Sequence, residues 1–87
     1  MSETPDTASQ VLEDLTRYIA GSLVSSPDLI GVRTNRFGNN VEVRLTVDPE
    51  EMGKVIGRQG RIAKAMRAVL AAAAARQGVR VSLDIDD

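Results

Sequence analysis

Apolar positions recur along the chain with two different spacings, and the changes of spacing divide it into elements. Val11, Leu12, Leu15, Ile19 and Leu23 return every three or four residues, the period of a helix with one buried face. Thr7 followed by Gln10 has the spacing of a capping box, so this helix is predicted to run from Ala8 to Val24. Ser25-Ser26-Pro27 ends it, because proline drives the residue before it out of the α region. Tyr18 lies near the apolar stripe and is expected to be partial core. From Leu29 to Phe37 the β-formers Ile30, Val32, Thr34 and Phe37 predict a strand of uneven alternation. Gly38-Asn39-Asn40 suits a tight turn, and beyond it the alternation is strict. Val41, Val43, Leu45 and Val47 oppose Glu42, Arg44 and Thr46, as in a hairpin with one face buried.

Asp48-Pro49-Glu50-Glu51 supplies an N-cap, a proline for the first helical position and acids for the first turn. The helix it starts is short, since Gly57 arrives within about two turns; Met52, Val55 and Ile56 are its apolar contacts. A longer helix is predicted from Arg61 to Gln77. Steps of about 100° place Ile62, Met66, Val69 and Leu70 on one arc, with Ala63 and Ala73 at its edges. Ala68, Ala71, Ala72 and Ala75 fill other faces, either as strong helix formers or as a small-residue stripe that admits another helix. Gly78 suits the helix end, and Val79, Val81, Leu83 and Ile85 then alternate as a last strand. The order α-β-β-α-α-β gives strands that each bury one face, and three amphipathic helices to cover them. The expected fold is an α+β two-layer sandwich, a three-stranded sheet covered on one face by three helices. Eighty-seven residues make one domain, expected over 7–87 behind a disordered tail at 1–6.

Composition narrows the chemistry. Cysteine and histidine are absent, which removes thiolate chemistry, the usual zinc ligands and the commonest general base. No catalytic, metal or cofactor site is therefore expected. The N-terminal residues lack a signal-peptide profile, and the alanine run at 71–75 is too short to cross a bilayer, so a cytoplasmic protein with no membrane association is expected. Net charge is −1, which alone argues against a nucleic-acid partner. Its distribution argues the other way. Between Met52 and Leu83 stand seven basic residues, Lys54, Arg58, Arg61, Lys64, Arg67, Arg76 and Arg80, and no acid.

Five of these cations bracket Gly57-Arg58-Gln59-Gly60, which joins the second and third helices. Two glycines three apart allow positive φ and leave the intervening amides open to a close anion, while the helix that follows adds its positive dipole end. A glycine-bounded turn is also an ordinary way to join two helices. Val55-Ile56-Gly57-Arg58-Gln59-Gly60 resembles the VIGxxG signature of KH domains, and the element order resembles the type II topology of that family over nearly the whole chain. Small size and a single copy make it similar to the stand-alone bacterial KH proteins of the KhpA kind. One place departs from the pattern. The family motif usually continues xxI after the second glycine, where this chain has Ala63, with Ile62 one residue earlier.

The resemblance implies binding of single-stranded RNA, or single-stranded DNA, with the GxxG loop clamping the backbone and bases lying across a groove between the two helices and the strand 79–85. The binding set it implies is Lys54, Ile56, Gly57, Arg58, Gln59, Gly60, Arg61 and Lys64. Arg67 and Arg76 are read as solvated helix residues, and Arg80 as facing the open side of the sheet. With Tyr18 and Phe37 the only aromatics, stacking platforms are lacking and low sequence specificity is expected. The resemblance also implies a homodimer, a larger KH-containing protein partner, and a role as RNA chaperone or post-transcriptional regulator. The alternative is a protein-interaction or dimerisation module whose KH fold has lost nucleic-acid binding. A helix-turn-helix reading leaves the strands without a role, and an enzyme finds no carboxylate near the loop to hold magnesium.

Overall fold

The computed structural model describes residues 6–87. The expected tail lies outside these residues except for Asp6, which caps the first helix. Helix α1 (Thr7–Leu23) begins one residue earlier than predicted. Asp6 Oδ1 accepts from the Ser9 N–H at 3.2 Å, and Oδ2 accepts from the Ser9 hydroxyl at 2.6 Å. The predicted capping box does not form, because Thr7 is already helical and the Gln10 side chain donates forward to Asp14. Asp6 also pairs with Arg36 at 2.6 Å, tying the helix start to the hairpin. The Ser9 hydroxyl, the Ser9 amide and the Arg36 guanidinium together hold the Asp6 carboxyl below its ordinary pKa, against the opposing effect of burial.

The buried line of α1 is Ala8, Leu12, Thr16 and Ala20, flanked by half-buried Leu15, Ile19 and Leu23. Small residues at three of these four positions let the helix lie close to its neighbours, with Leu12 fully buried between them. Tyr18, expected in the core, is 75% exposed. Two residues beyond Thr16 it stands about 200° round the helix, on the far side.

A 3₁₀ turn at Pro27–Leu29 takes the first residues of the expected strand, and β1 (Gly31–Phe37) starts after it. The turn at Gly38, with φ +61°, leads to β2 (Asn40–Thr46), in which Val41, Val43 and Leu45 point inward as the alternation predicts. Asp48 accepts from the Glu50 N–H at 2.9 Å and starts a 3₁₀ turn that runs into α2 (Met52–Ile56). Helix α3 (Arg61–Arg76) ends in a Schellman arrangement: Val79 N–H donates to Ala74 O, Gly78 N–H donates to Ala75 O, and Gly78 has φ +74°. Strand β3 (Arg80–Asp86) completes the fold.

The sheet order is β1-β2-β3. Strands β1 and β2 pair antiparallel with Val32 opposite Leu45, whereas β2 and β3 pair parallel with Val43 opposite Leu83. A parallel pair needs a crossover, and α2, the glycine loop and α3 provide it across the inner face. Leu12, Val41, Val43, Leu45, Val55, Met66 and Leu70 form the fully buried centre, an aliphatic core with no aromatic ring. The buried line of α3 is Ala63, Met66, Leu70 and Ala74, which keeps Met66 and Leu70 of the predicted arc and shifts it toward the Ala63 edge: Val69 is 46% exposed and Ile62 only half-buried. Alanine at 63 and 74 brings α3 close to the sheet and α1, so the contact is centred on residues that hydrophobicity alone ranks low.

Candidate nucleic-acid interface

Helix α2 stops at Gly57, whose N–H still donates to Gly53 O at 2.9 Å while its own backbone turns to φ +77°, ψ 174°. That region is open only to glycine. The next residues complete a tight left-handed turn, with Gln59 at φ 57°, ψ 23° and Gly60 at φ 73°, ψ 16°. Gly60 N–H donates to Gly57 O, and Arg61 N–H to Arg58 O. The amides of Arg58 and Gln59 take no backbone or side-chain acceptor among the described residues. Two free donors thus stand at the tip of the loop, immediately before the N-terminus of a 16-residue helix.

Gly57 is constrained by packing as well as by φ. A Cβ built on it would stand 2.5 Å from Ile62 Cγ1 and 2.9 Å from Ile62 Cβ. Ile62 therefore closes the back of the loop, and Ala63, at the place where the family pattern has isoleucine, is buried in the core at 3% exposure. The departure at position 63 leaves the loop intact because the isoleucine one residue earlier supports it.

The predicted set divides by what each side chain already holds. Arg58 and Lys64 are exposed and, among the described residues, make no hydrogen bond or ion pair. Arg61 donates only to Gln59 Oε1, at 3.2 Å. These three cations all fall on the loop or in the first turn of α3. Ile56 is half-buried against the core beside the loop. Lys54 is already held: its ammonium donates to Glu51 Oε1 at 2.8 Å and to Ser25 Oγ at 2.6 Å. Glu51 Oε2 in turn accepts from the Ser25 and Ser26 N–H groups, so this cluster joins the end of α1 to the start of α2. The Lys54 hydrogen bond, with those two amides, holds the Glu51 carboxyl below its ordinary pKa despite its burial.

Sequence reasoning missed one feature. Arg67, read as a solvated residue, reaches across to β3 and donates from Nε and Nη2 to Leu83 O at 3.2 and 3.1 Å. It stands over a cleft of about 180 Å³ between α3 and β3, lined by Arg67, Leu70, Val81, Ser82 and Leu83. The only local signal was its position on α3, one turn beyond Lys64. A second cleft, about 220 Å³, lies between the end of α1 and the start of α2 and is faced by Asp48, Glu50 and Glu51. Three carboxylates make it a poor seat for an anion. On the open face of the sheet Arg44 turns to Asp84 and Asp86, at 4.0 and 3.5 Å. Arg80 projects from the start of β3 and Arg76 from the last turn of α3, both far along their elements from the loop.

Among the described residues no group of three or more acidic side chains is placed to hold a metal ion, and no helix is long and apolar enough to cross a membrane. The family model described as "KhpA/KhpB, KH domain" matches residues 13–85. The chain belongs to that family. It is 47% identical over 76 residues to RNA-binding protein KhpA of Halalkalibacterium halodurans, covering 87% of this chain and 100% of the relative. It is 41% identical over 78 residues to RNA-binding protein KhpA of Bacillus subtilis, covering 90% and 96%. Among solved structures it resembles a variant of Aquifex aeolicus Era bound to GDP.AlF4-, with a TM-score of 0.65 at 19% identity over 97% of this chain. Era in complex with MgGDPNP and a segment of 16S ribosomal RNA gives a TM-score of 0.60 at 18% identity over 99% of this chain. The chain spans 31% and 34% of those two structures, so the likeness is one of fold for a single domain. The family is one of KH-domain proteins and not of enzymes.

Proposed function

We propose that this protein binds single-stranded RNA, and single-stranded DNA in the same way, by holding the phosphate backbone at the loop Gly57–Gly60. The observation that carries this reading is the pair of unpartnered amides at Arg58 and Gln59 at a helix N-terminus, with Arg58, Arg61 and Lys64 on the loop and first helical turn making no ion pair among the described residues. The relatives named as RNA-binding proteins support the choice of RNA. Gly57 and Gly60 allow the backbone of the ligand to approach, and Ile56 borders the groove beside them. Lys54 contributes field more than contact, since its ammonium is held by Glu51 and Ser25. Sequence specificity is low, because the two aromatic rings lie elsewhere: Tyr18 on the outer side of α1, and Phe37 at the hairpin end beside the start of β3. Weak contact at one site suits a chaperone or post-transcriptional regulator that works as a homodimer or with a larger KH-containing protein in the cytoplasm.

The test is a fluorescence anisotropy titration of labelled single-stranded oligonucleotides against the wild type and the double variant Arg58→Asp, Gln59→Asp. The variant is expected to keep its far-UV spectrum and to lose at least about tenfold in affinity, with two carboxylates standing where phosphates approach. Contacts to about four phosphates give the wild type a log K against log salt slope near −3 for a single strand. Equal affinity in both proteins would sink the loop assignment.

A further inference from the structure

The face of the sheet turned away from the helices carries an exposed aromatic ring. Cross-strand partners share a face, so Phe37, Asn40 and Arg80 form one row across β1, β2 and β3 at the hairpin end. Asn40 alternates with the buried Val41, which places the row on the open side. Phe37 is 63% exposed and, with Asn40, Glu42, Arg80 and Ser82, borders a cleft of about 250 Å³. The surroundings are fixed before anything binds. Arg36 Nε donates to Gly38 O at 2.9 Å, and Arg80 N–H donates to Asn39 O at 2.8 Å, so the turn and the start of β3 are tied together.

Charge points to the occupant. Arg80 and Arg76, the latter in the last turn of α3, are exposed and make no ion pair among the described residues. Arg80 stands two strand spacings from Phe37, about 10 Å, a gap that a nucleotide and an extended arginine side chain bridge between them. Glu42, the one carboxylate on the cleft, lies in the next row and turns a phosphate toward Arg80. A protein partner would find a single ring among polar side chains, too little apolar area for the core of an interface. A base needs only a π-face and a cation nearby. One ring cannot make the multi-base platform whose absence the sequence implies, but it can hold one base.

We propose that Phe37 is a second and separate contact for the bound strand, a stacking platform on the open face of the sheet where one base of single-stranded RNA rests while Arg80 holds the adjoining phosphate. This rests on the RNA-binding function proposed above and extends its footprint beyond the loop. The loop precedes α3, and β3 enters the row of Phe37 soon after α3 ends, so the two contacts lie at opposite ends of a helix about 24 Å long. Only a long strand reaches both. Once the loop holds such a strand, the tether raises its effective concentration at the ring. Stacking accepts any base, so the platform adds affinity and no sequence preference.

The experiment titrates labelled adenosine–uridine strands of about five and about sixteen nucleotides, followed by fluorescence anisotropy, against the wild type and four variants. Phe37→Ala is expected to bind the long strand about tenfold more weakly than wild type and the short strand within about twofold. Arg80→Gln should show a smaller loss confined to the long strand, while Tyr18→Ala, which removes an exposed ring on the outer side of α1, should change neither. Phe37→Trp keeps a ring and, in a chain without tryptophan, supplies an emission that the long strand should quench; it decides the matter where melting curves show Phe37→Ala to be unstable. Long-strand affinity left intact by Phe37→Ala or Arg80→Gln, a loss shared by both lengths or by Tyr18→Ala, or a Phe37→Trp emission indifferent to a bound long strand overturns the platform. In each of these cases the wild type still binds and the loop function stands. A wild type that binds neither strand refutes that function, and the platform with it.

Discussion

Replacing Gly57 by alanine tests whether the loop is held by its glycines for two separate reasons. The first is conformational. At φ +77°, ψ 174° any residue with a Cβ is strained, at a cost of about 2 kcal/mol. The second is steric: the new Cβ would stand 2.5 Å from Ile62 Cγ1 and 2.9 Å from Ile62 Cβ. Rotating Ile62 moves Cγ1 and Cδ1 but not Cβ, so the backbone must shift, at about 2 kcal/mol more by the scale of overpacked sites. The expected total is about 4 kcal/mol, a large part of the ~5–15 kcal/mol that holds a small domain together. Gly60 is the control, because its φ of +73° calls for glycine but nothing lies within 4 Å of the missing Cβ. Gly60→Ala should cost about 1 kcal/mol, the ordinary left-handed penalty. Urea unfolding followed by far-UV circular dichroism, the suitable probe for a chain without tryptophan, gives both values. Adding Ile62→Ala to Gly57→Ala should recover about 1 kcal/mol in a double-mutant cycle, since two of the three clashing atoms leave and the φ strain stays. Equal costs at Gly57 and Gly60, or strict additivity with Ile62→Ala, would refute the steric half of the reasoning.

Two further outcomes are expected. The Glu51 carboxyl has a folded pKa below its unfolded one, so its contribution to stability is present above the ordinary glutamate range and is lost as pH falls through the folded value; Glu51→Gln should melt earlier than wild type at pH 7, and the gap should close in acid, whereas a gap independent of pH would contradict the assigned ion pair. Self-association is expected through the outer face of α3, where Val69 is 46% exposed among Ala65, Ala68 and Ala72; sedimentation should show a dimer at micromolar concentration that Val69→Asp dissociates, and a wild-type monomer at that concentration would remove this surface from the proposal.

Elements that declare themselves by local rules were legible in the sequence. The strict alternation of β2, the Asp48-Pro49 start and the Gly78 stop each depend on residues within a few positions of one another, and each stands where the pattern put it. What sequence periodicity misplaced was the centre of each helix face. In α1 and α3 the expected Leu12, Met66 and Leu70 are buried, but Ala8, Ala20, Ala63 and Ala74 share the buried line with them, because close packing admits small side chains that a pattern weighted by size ranks low. Tyr18 and Val69 were drawn inward by the same bias. The start of α1 was misplaced because Asp6 and Thr7 are both good caps, and Asp6 takes the place through the Ser9 amide and hydroxyl, with Arg36, thirty residues away, pairing to it as well.

Legibility at the site follows the same division. The turn at Gly57 to Gly60 was readable because its glycines answer to local geometry, whereas the capture of Lys54 by Glu51 was not foreseen although its i, i+3 spacing is helical. Arg67 was not, because its partner is a backbone carbonyl on a strand sixteen residues later, and only the parallel pairing of β2 and β3 turns that carbonyl outward. Sorting the cations this way also explains why a net charge of −1 is a poor guide to the partner. At physiological ionic strength charges are screened over about 8 Å, while the molecule is 42 Å long. On the proposed function, a phosphate at the loop would be governed by Arg58, Arg61 and Lys64 and by two bare amides. Among the described residues Asp6, Glu51, Asp84 and Asp86 are paired with Arg36, Lys54 and Arg44, Glu13 is paired with Arg17, and Asp48 and Glu50 stand at the other end of α2. Affinity for a strand that fills the loop alone should therefore respond to single substitutions at Arg58, Arg61 and Lys64 and stay nearly indifferent to charge changes of equal size on the open face of the sheet.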